Sequence, residues 1–299
     1  MRGRLREGLD IMNRFQETLY DAYGQAFTVD DVLFEEKTDH QHLLIFRNAR
    51  FGRVMVLDGV VQTTEKDEFI YHEMLAHVPM LAHGKVNQVL IVGGGDGGML
   101  REVLKHPGVQ TVTQVELDSR VVTLCQKFLP NHSQGAFDDT RVELVFDDGL
   151  RFVSRTDRQF DVIISDSTDP IGPGEALFSA DFYRACKGRL TPGGVLVTQN
   201  GVVFMQPDEV QATADHLRRL FTDWHFFTAA IPTYVGGSMA FGWATDDAAL
   251  RRMPLDTLRE RFQKSGIATR YYTPEIHHSA FALPQYVLDV VGKVMGNAG

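Results

Sequence analysis

Residues Ser165-Asp166-Ser167-Thr168-Asp169-Pro170-Ile171-Gly172-Pro173-Gly174 hold the densest chemistry in the chain. Asp166 and Asp169 stand three residues apart on a segment stiffened by two prolines, an arrangement suited to holding an ammonium group and taking a proton from it. An isolated Asp-Pro pair is more often a capped, solvated turn. A second acidic feature argues for a site here: Val92-Gly93-Gly94-Gly95-Asp96-Gly97-Gly98 puts Asp96 in a glycine loop that the first segment should face. Glycines at a strand-to-helix bend let the backbone approach a ligand closely. The loop lacks the lysine of a phosphate-binding loop and carries an acid instead, so a nucleoside without phosphate fits it better than a nucleotide. Glu116 follows about 20 residues later at the end of the next strand, where a carboxylate can accept both hydroxyls of a ribose. Asp147-Asp148-Gly149 ends a third strand at the same edge. Asp148 either meets an adenine amino group there or caps the next helix, and the sequence favours neither.

These groups need a scaffold that gathers strand ends. From Gln88 onward, strands and helices alternate: strands at Gln88–Val92, Thr111–Glu116, Val142–Phe146, Asp161–Ser165 and Val195–Gln199, with helices beginning near Met99, Ser119, Ala180 and Pro207. Nearly all-apolar strands such as Val-Leu-Ile-Val predict a parallel sheet covered on both faces. Two further strands, Phe226–Ile231 and Ala240–Ala244, flank Pro232–Gly237 and predict an antiparallel edge. Between Val32 and Thr64, short runs alternating apolar and polar residues, with turns at Asn48 and Asp58-Gly59, read as hairpins. Lys66 to Ala82 has helical spacing, with Phe69, Ile70, Met74, Leu75 and Val78 on one side, and places Tyr71 and His72 on that helix. As an amphipathic helix it would leave its acidic face in solvent. From Leu255 the chain reads as two short helices around a loop. The expected class is α/β: a Rossmann-like sheet with helices on both faces, plus a small amino-terminal antiparallel β-domain, divided as residues 1–65 and 66–299.

The 299 residues are 43% hydrophobic and 23% charged, enough apolar material for a core. A net charge of −9 repels nucleic-acid backbones and anionic membranes and favours cationic partners. No window approaches the roughly 20 apolar residues of a membrane span. The basic opening Met1–Arg6 is too short and too polar for a signal peptide, and Met12 is an alternative start. A cytoplasmic protein is the expectation, with Cys125 and Cys186 as buried thiols rather than a disulfide. No metal is expected: His277 and His278 are adjacent and point apart, and His40 and His42 have no further ligand cluster. Trp243 sits in an apolar strand and reads as core.

Several motifs in order resemble one family. Leu57-Asp-Gly-Val-Val-Gln62, Asp67-Glu-Phe-Ile-Tyr-His-Glu73, Gly93-Gly-Gly-Asp-Gly-Gly98, Val115-Glu-Leu-Asp118, Asp147-Asp-Gly149 and Asp166-Ser-Thr-Asp-Pro-Ile-Gly-Pro173 are similar to those of the polyamine aminopropyltransferases, most closely the bacterial spermidine synthases. The resemblance covers nearly the whole chain. It implies a class I methyltransferase-type sheet, a homodimer or homotetramer, and aminopropyl transfer from decarboxylated S-adenosylmethionine to putrescine by direct displacement. That donor would be a co-substrate, with no tightly bound cofactor. By the same resemblance, Gln41, Gly93, Gly95, Glu116, Asp148, Gly149 and Pro173 hold the nucleoside, and Asp166 accepts the proton. Tyr71, His72, Asp96, Asp166, Asp169 and Tyr234 contact the amine. The competing reading is an S-adenosylmethionine-dependent N-methyltransferase acting on a small cationic amine. It would share the glycine loop and the acidic second strand end, but not the acidic pair with Asp96. An intact Asp166 argues against a third reading, a polyamine sensor that binds without reacting.

Overall fold

Val89-Leu90-Ile91-Val92 is buried throughout, and its side chains divide between two cores. Val89 and Ile91 join Met74, Leu100 and Trp243, while Leu90 and Val92 join Val153, Phe182 and Leu217. Successive side chains of a strand point to opposite faces, so a strand with no polar residue must be covered on both. The structure, a computed structural model, describes residues 13–38, 41–170 and 172–292 together with the backbone of Leu9 and Asp10; Pro173 is described by its backbone alone. The expectations for Met1–Arg6, Met12 and His40 lie outside the described residues.

The amino-terminal part runs β1 (Leu9–Asp10), β2 (Arg14–Gln16), β3 (Ala26–Thr28), β4 (Asp31–Lys37), β5 (His42–Asn48), β6 (Gly52–Leu57) and β7 (Val60–Thr64). The rest begins α1 (Glu68–His83), β8 (Gln88–Gly93), α2 (Gly98–Leu104), β9 (Thr111–Glu116), α3 (Ser119–Phe128), α4 (Pro130–Ser133), β10 (Val142–Phe146), α5 (Gly149–Arg155) and β11 (Phe160–Asp166). It continues α6 (Ala180–Arg189), β12 (Leu190–Val202), α7 (Pro207–Leu220), β13 (Asp223–Ala229), β14 (Met239–Thr245), α8 (Leu255–Ser265), α9 (Pro274–Ala280) and α10 (Gln285–Gly292). The carboxyl-terminal stretch therefore forms three helices where two were expected. Its third helix seats Val287 and Val291 against Val210 and Ala214 of α7.

The central sheet has the order β10-β9-β8-β11-β12-β14-β13. Pairing is parallel from β10 through β12, and β14 is antiparallel to both β12 and β13. This is the Rossmann-like sheet with its antiparallel end, and β14 inserts between β12 and β13. Helices cover both faces, and the antiparallel β-domain precedes them.

Two local expectations need correction. Strand β5 does not alternate wet and dry faces: Leu44 and Phe46 pack with Phe15 and Phe27, while Leu43 and Ile45 pack against Val121, Leu124 and Cys125 of α3. Helix α1 is not amphipathic, because residues 70–82 and Glu68 are all buried. Its acidic residues are matched by other parts of the chain, as burial of charge requires. The Glu73 carboxylate accepts N–H bonds from Arg270, Tyr271 and Tyr272, each at 2.8 Å, and Glu68 meets Arg101 of α2. No helix among the described residues is long and apolar enough to cross a membrane.

Candidate active site

Strand register brings the acidic ends together. Gly93 lies beside Asp166 in the β8–β11 pair, and Glu116 lies beside Phe146 in the β9–β10 pair. Gly93 has φ 88°, and a Cβ there would collide with the Asp166 carbonyl, so only glycine lets the loop pass so close. The Gly94 N–H donates to that carbonyl at 3.0 Å. From β9, Gln114 Nε2 donates to the carbonyls of Gly93 and Gly94 at 2.9 and 2.7 Å and pins the bend from the other side. Gly95 passes Glu116 so closely that a Cβ would lie 2.8 Å from Oε2. Asp96 Oδ1 accepts the Gly98 N–H at 2.7 Å as α2 begins.

Glu116 lines the cavity beside the glycine loop. Its Oε1 accepts the Asp118 N–H at 3.0 Å, and burial pushes its carboxyl up to about 7. Asp118 caps α3 through Arg120 N, and its other oxygen accepts Thr38 Oγ1 at 2.9 Å and Gln41 Nε2 at 3.5 Å. That contact carries Gln41 from the β-domain to the wall of the cavity. Asp148 Oδ1 caps α5 through Arg151 N at 2.7 Å, the helix-capping role, and the residue also lines the cavity. Gly149 allows α5 to start against β8, since a Cβ would lie 2.5 Å from Val92.

The Tyr71 hydroxyl donates to Asp166 Oδ1 at 2.5 Å. Burial raises the Asp166 carboxyl to about 6, with the neighbouring His72 cation and the Tyr71 bond pulling against the rise and Asp96 adding to it. Burial and then Asp166 push the Tyr71 phenol well up. Burial alone would lower His72, but Asp96 and Glu68 overrule it and raise the imidazole to about 9. The Tyr234 ring stands edge-on to Tyr71 with centroids 6.1 Å apart, and its hydroxyl donates to the Gln62 carbonyl at 2.5 Å. Tyr234 is held in place because Asp67 Oδ2 accepts the Thr233 N–H and hydroxyl at 2.9 and 2.8 Å. Asp169 accepts Gln206 Nε2 at 2.6 Å, and burial raises its carboxyl.

Every expected site residue except Pro173 lines this one cavity, with Asp96, Asp166 and Asp169 converging on it. Pro173 occupies the 3-10 turn Gly172–Phe178, and its side chain lies outside the described residues. Residues that the sequence did not single out also line it, among them Glu17, Tyr20, Gln62, Asp118 and Gln206. Tyr20 donates to Gln206 Oε1 at 3.3 Å, and burial raises Glu17 beside Asp169. Asp118 was visible as the second acid of Glu116-Leu-Asp118; Glu17 and Tyr20, far away in sequence, had no local signal.

The remaining residues noted from sequence are structural. Trp243 is fully buried and donates to Asp223 Oδ2 at 3.1 Å. His277 is buried against the Tyr272 hydroxyl at 2.9 Å, while His278 is exposed. His42 Nε2 lies 3.3 Å from Glu35 Oε1. Cys125 and Cys186 are buried and free.

Residues 68–253 match the model of the spermine/spermidine synthase domain, and residues 15–65 match that of the spermidine synthase tetramerisation domain. The chain is 65% identical over 282 residues to polyamine aminopropyltransferase 1 of Pseudomonas aeruginosa, covering 94% of this chain and 99% of that one. It is 58% identical over 277 residues to the polyamine aminopropyltransferase of Salmonella arizonae, covering 93% and 97%. Among solved structures, a spermidine synthase in complex with the transition-state analogue AdoDATO superposes with a TM-score of 0.88 at 37% identity, covering 94% of this chain and 95% of that one. The spermidine synthase of Thermotoga maritima gives 0.85 at 35% identity, covering 93% and 94%. Both halves of the site are thus carried by segments that match the same family in chain order, and the chain belongs to the spermine/spermidine synthase family.

Proposed function

We propose that this protein is a spermidine synthase, moving the aminopropyl group of decarboxylated S-adenosylmethionine onto putrescine to give spermidine and methylthioadenosine. The observation that carries the reading is the convergence of Asp96, Asp166 and Asp169 on one cavity that Glu116 also lines. The aspartates suit a dibasic amine and Glu116 a ribose.

The amine nitrogen attacks the methylene carbon bonded to the sulfonium sulfur. The C–N bond forms as the C–S bond breaks, and the bonding pair leaves on sulfur as the neutral thioether. An alkylamine has a pKa of about 10.4, so roughly one molecule in a thousand is neutral at pH 7 and something must take its proton. Asp166 takes it, directly or through water. With a pKa of about 6, this carboxyl is ionised at neutral pH yet more basic than an ordinary aspartate. Lining up nitrogen and carbon contributes a proximity effect of several kcal/mol, at best about 7 to 11. Asp96 and Asp169 hold the ammonium ends by charge, with the Tyr71 and Tyr234 rings as walls. Gln41, Glu116, Asp148, Gly149 and Pro173 line the nucleoside end.

The same reading takes residues 1–65 as the β-domain and 66–299 as the catalytic domain, in a cytoplasmic homodimer or homotetramer. Mass spectrometry after incubation with the decarboxylated donor, the intact donor and a panel of diamines tests the function. Gain of one aminopropyl unit on putrescine is the expected result; gain of a methyl group, or no gain, overturns it.

A further inference from the structure

Acids close on His72 from two sides. Glu68, one turn earlier on α1, places Oε2 2.6 Å from Nδ1, and Asp96 places Oδ1 3.6 Å from Nε2. A neutral imidazole has a single N–H and would turn a lone pair toward one of these carboxylates; the imidazolium presents an N–H to each. Glu68 is gripped in turn by Arg101, with Nη1 3.2 Å from Oε1 and Nη2 2.8 Å from Oε2. The guanidinium is itself fixed, donating from Nη1 to the His132 carbonyl at 2.6 Å and from Nε to Glu102 Oε1 at 2.8 Å. Asp96, His72, Glu68, Arg101 and Glu102 thus form a row of alternating charges. All five are buried, where solvent screens little.

We propose that Glu68 and Arg101 are positioning residues for the aminopropyl transfer: Glu68, anchored by Arg101, holds His72 as the imidazolium, and this fixed cation keeps Asp166 ionised. The proposal rests on the function given above. Its physical need is plain, because carboxylates crowded together in a buried pocket otherwise share protons, and a protonated Asp166 accepts none. Arg101 does not line the cavity, so its effect passes through Glu68. The groups facing His72 are Glu68 and Tyr71 on its own helix, Asp96 on the glycine loop, Asp166 on β11, His132 on α4 and, behind Glu68, Arg101 on α2.

In Glu68→Gln the imidazole keeps a neighbour of the same shape but faces Arg101 without the intervening anion. NMR titration of labelled histidine in the full chain should show His72 losing its proton above pH 8 in the unsubstituted protein and below about pH 6 in the variant, where burial and the uncompensated Arg101 both favour the neutral ring. The acidic limb of kcat/KM should move up by about one unit, with activity recovering as pH is raised. A merely structural lesion would lower activity at every pH. Arg101→Met leaves Glu68 with His72 as its cationic partner at 2.6 Å, so His72 should keep its proton to at least the same pH, which separates the charge of Glu68 from a general loss of the row. If that variant does not fold, the titrations of the unsubstituted protein and Glu68→Gln decide. A His72 that titrates at the ordinary histidine value, or an acidic limb unmoved in Glu68→Gln, overturns the proposal. Absence of any aminopropyl transfer would instead sink the proposed function, while the histidine titration would still report on the clamp.

Discussion

Replacing Asp166 by Asn preserves the size of the side chain and an acceptor for the Tyr71 hydroxyl, 2.5 Å away, but removes the charge. Two effects of opposite sign follow. Chemistry loses its proton acceptor, and since a positioned base contributes about 10²- to 10⁴-fold, turnover should fall at least a hundredfold. Stability moves the other way. Burial lifts the Asp166 carboxyl from 3.8 to about 6, so protonation favours the folded chain. That advantage is complete below about pH 4 and is lost as pH rises through about 6. A rise of about two units disfavours the charged form by about 3 kcal/mol, or roughly 2 after discounting for solvent in the half-open pocket. Asn escapes that term. At roughly 2 °C per kcal/mol for a chain of this size, Asp166→Asn should melt about 4 °C above the unsubstituted protein at pH 8 and gain about half as much at pH 5. Differential scanning fluorimetry at the two pH values and single-turnover product analysis read the two effects. Calorimetric binding of methylthioadenosine, expected to be nearly unchanged, reports an intact pocket. A variant that still turns over removes Asp166 as the base, and one that melts lower than its parent at pH 8 refutes the burial argument.

Three further outcomes are expected. A donor that keeps its methionine carboxylate would bring an anion toward Asp96, at a cost of about 4 kcal/mol for a separation near 4 Å at an effective dielectric of about 20. Asp96→Asn should therefore narrow the kcat/KM preference for the decarboxylated donor by at least about tenfold, and an unchanged ratio would rule the repulsion out. Only ionised Glu116 accepts from both ribose hydroxyls, and its carboxyl sits at about 7, so calorimetry should find methylthioadenosine binding more tightly as pH rises from 6 to 8. Glu116→Gln should bind it about tenfold more weakly with no such pH dependence; a pH trend that survives in the variant would place the titrating group elsewhere. Gly93→Ala combines left-handed backbone with a collision against the Asp166 carbonyl and should lower the melting temperature by more than about 4 °C, whereas a stable, active variant would show that the loop relaxes freely.

The acidic strand ends were legible because their geometry follows from periodicity. Once β8, β9 and β11 are recognised as neighbouring parallel strands, Gly93, Glu116 and Asp166 must share an edge. What periodicity hid was the surroundings of α1. Its pattern of Phe69, Ile70, Met74, Leu75 and Val78 reads as one apolar face, but the opposite face is buried as well, since Glu73 is consumed by the backbone of 270–272 and Glu68 by Arg101. Partners nearly two hundred residues away leave no mark in the local spacing. The same holds for Glu17 and Tyr20, whose place beside Asp169 depends on how the β-domain folds over the sheet. The third helix of the tail was missed because its apolar residues contact α7 and not an adjacent segment.

The loop bearing Tyr234 is tied to the β-domain, for Gln25 Nε2 donates to the Thr233 carbonyl at 2.6 Å and the Tyr234 hydroxyl reaches the Gln62 carbonyl. The part of the cavity wall formed by Tyr234 and Gln62 thus rests on two pieces of chain that must be inherited together. A graft of residues 13–65 from a relative would have to bring its own version of 232–237, and would have to keep Gln41 matched to Asp118 across the same boundary.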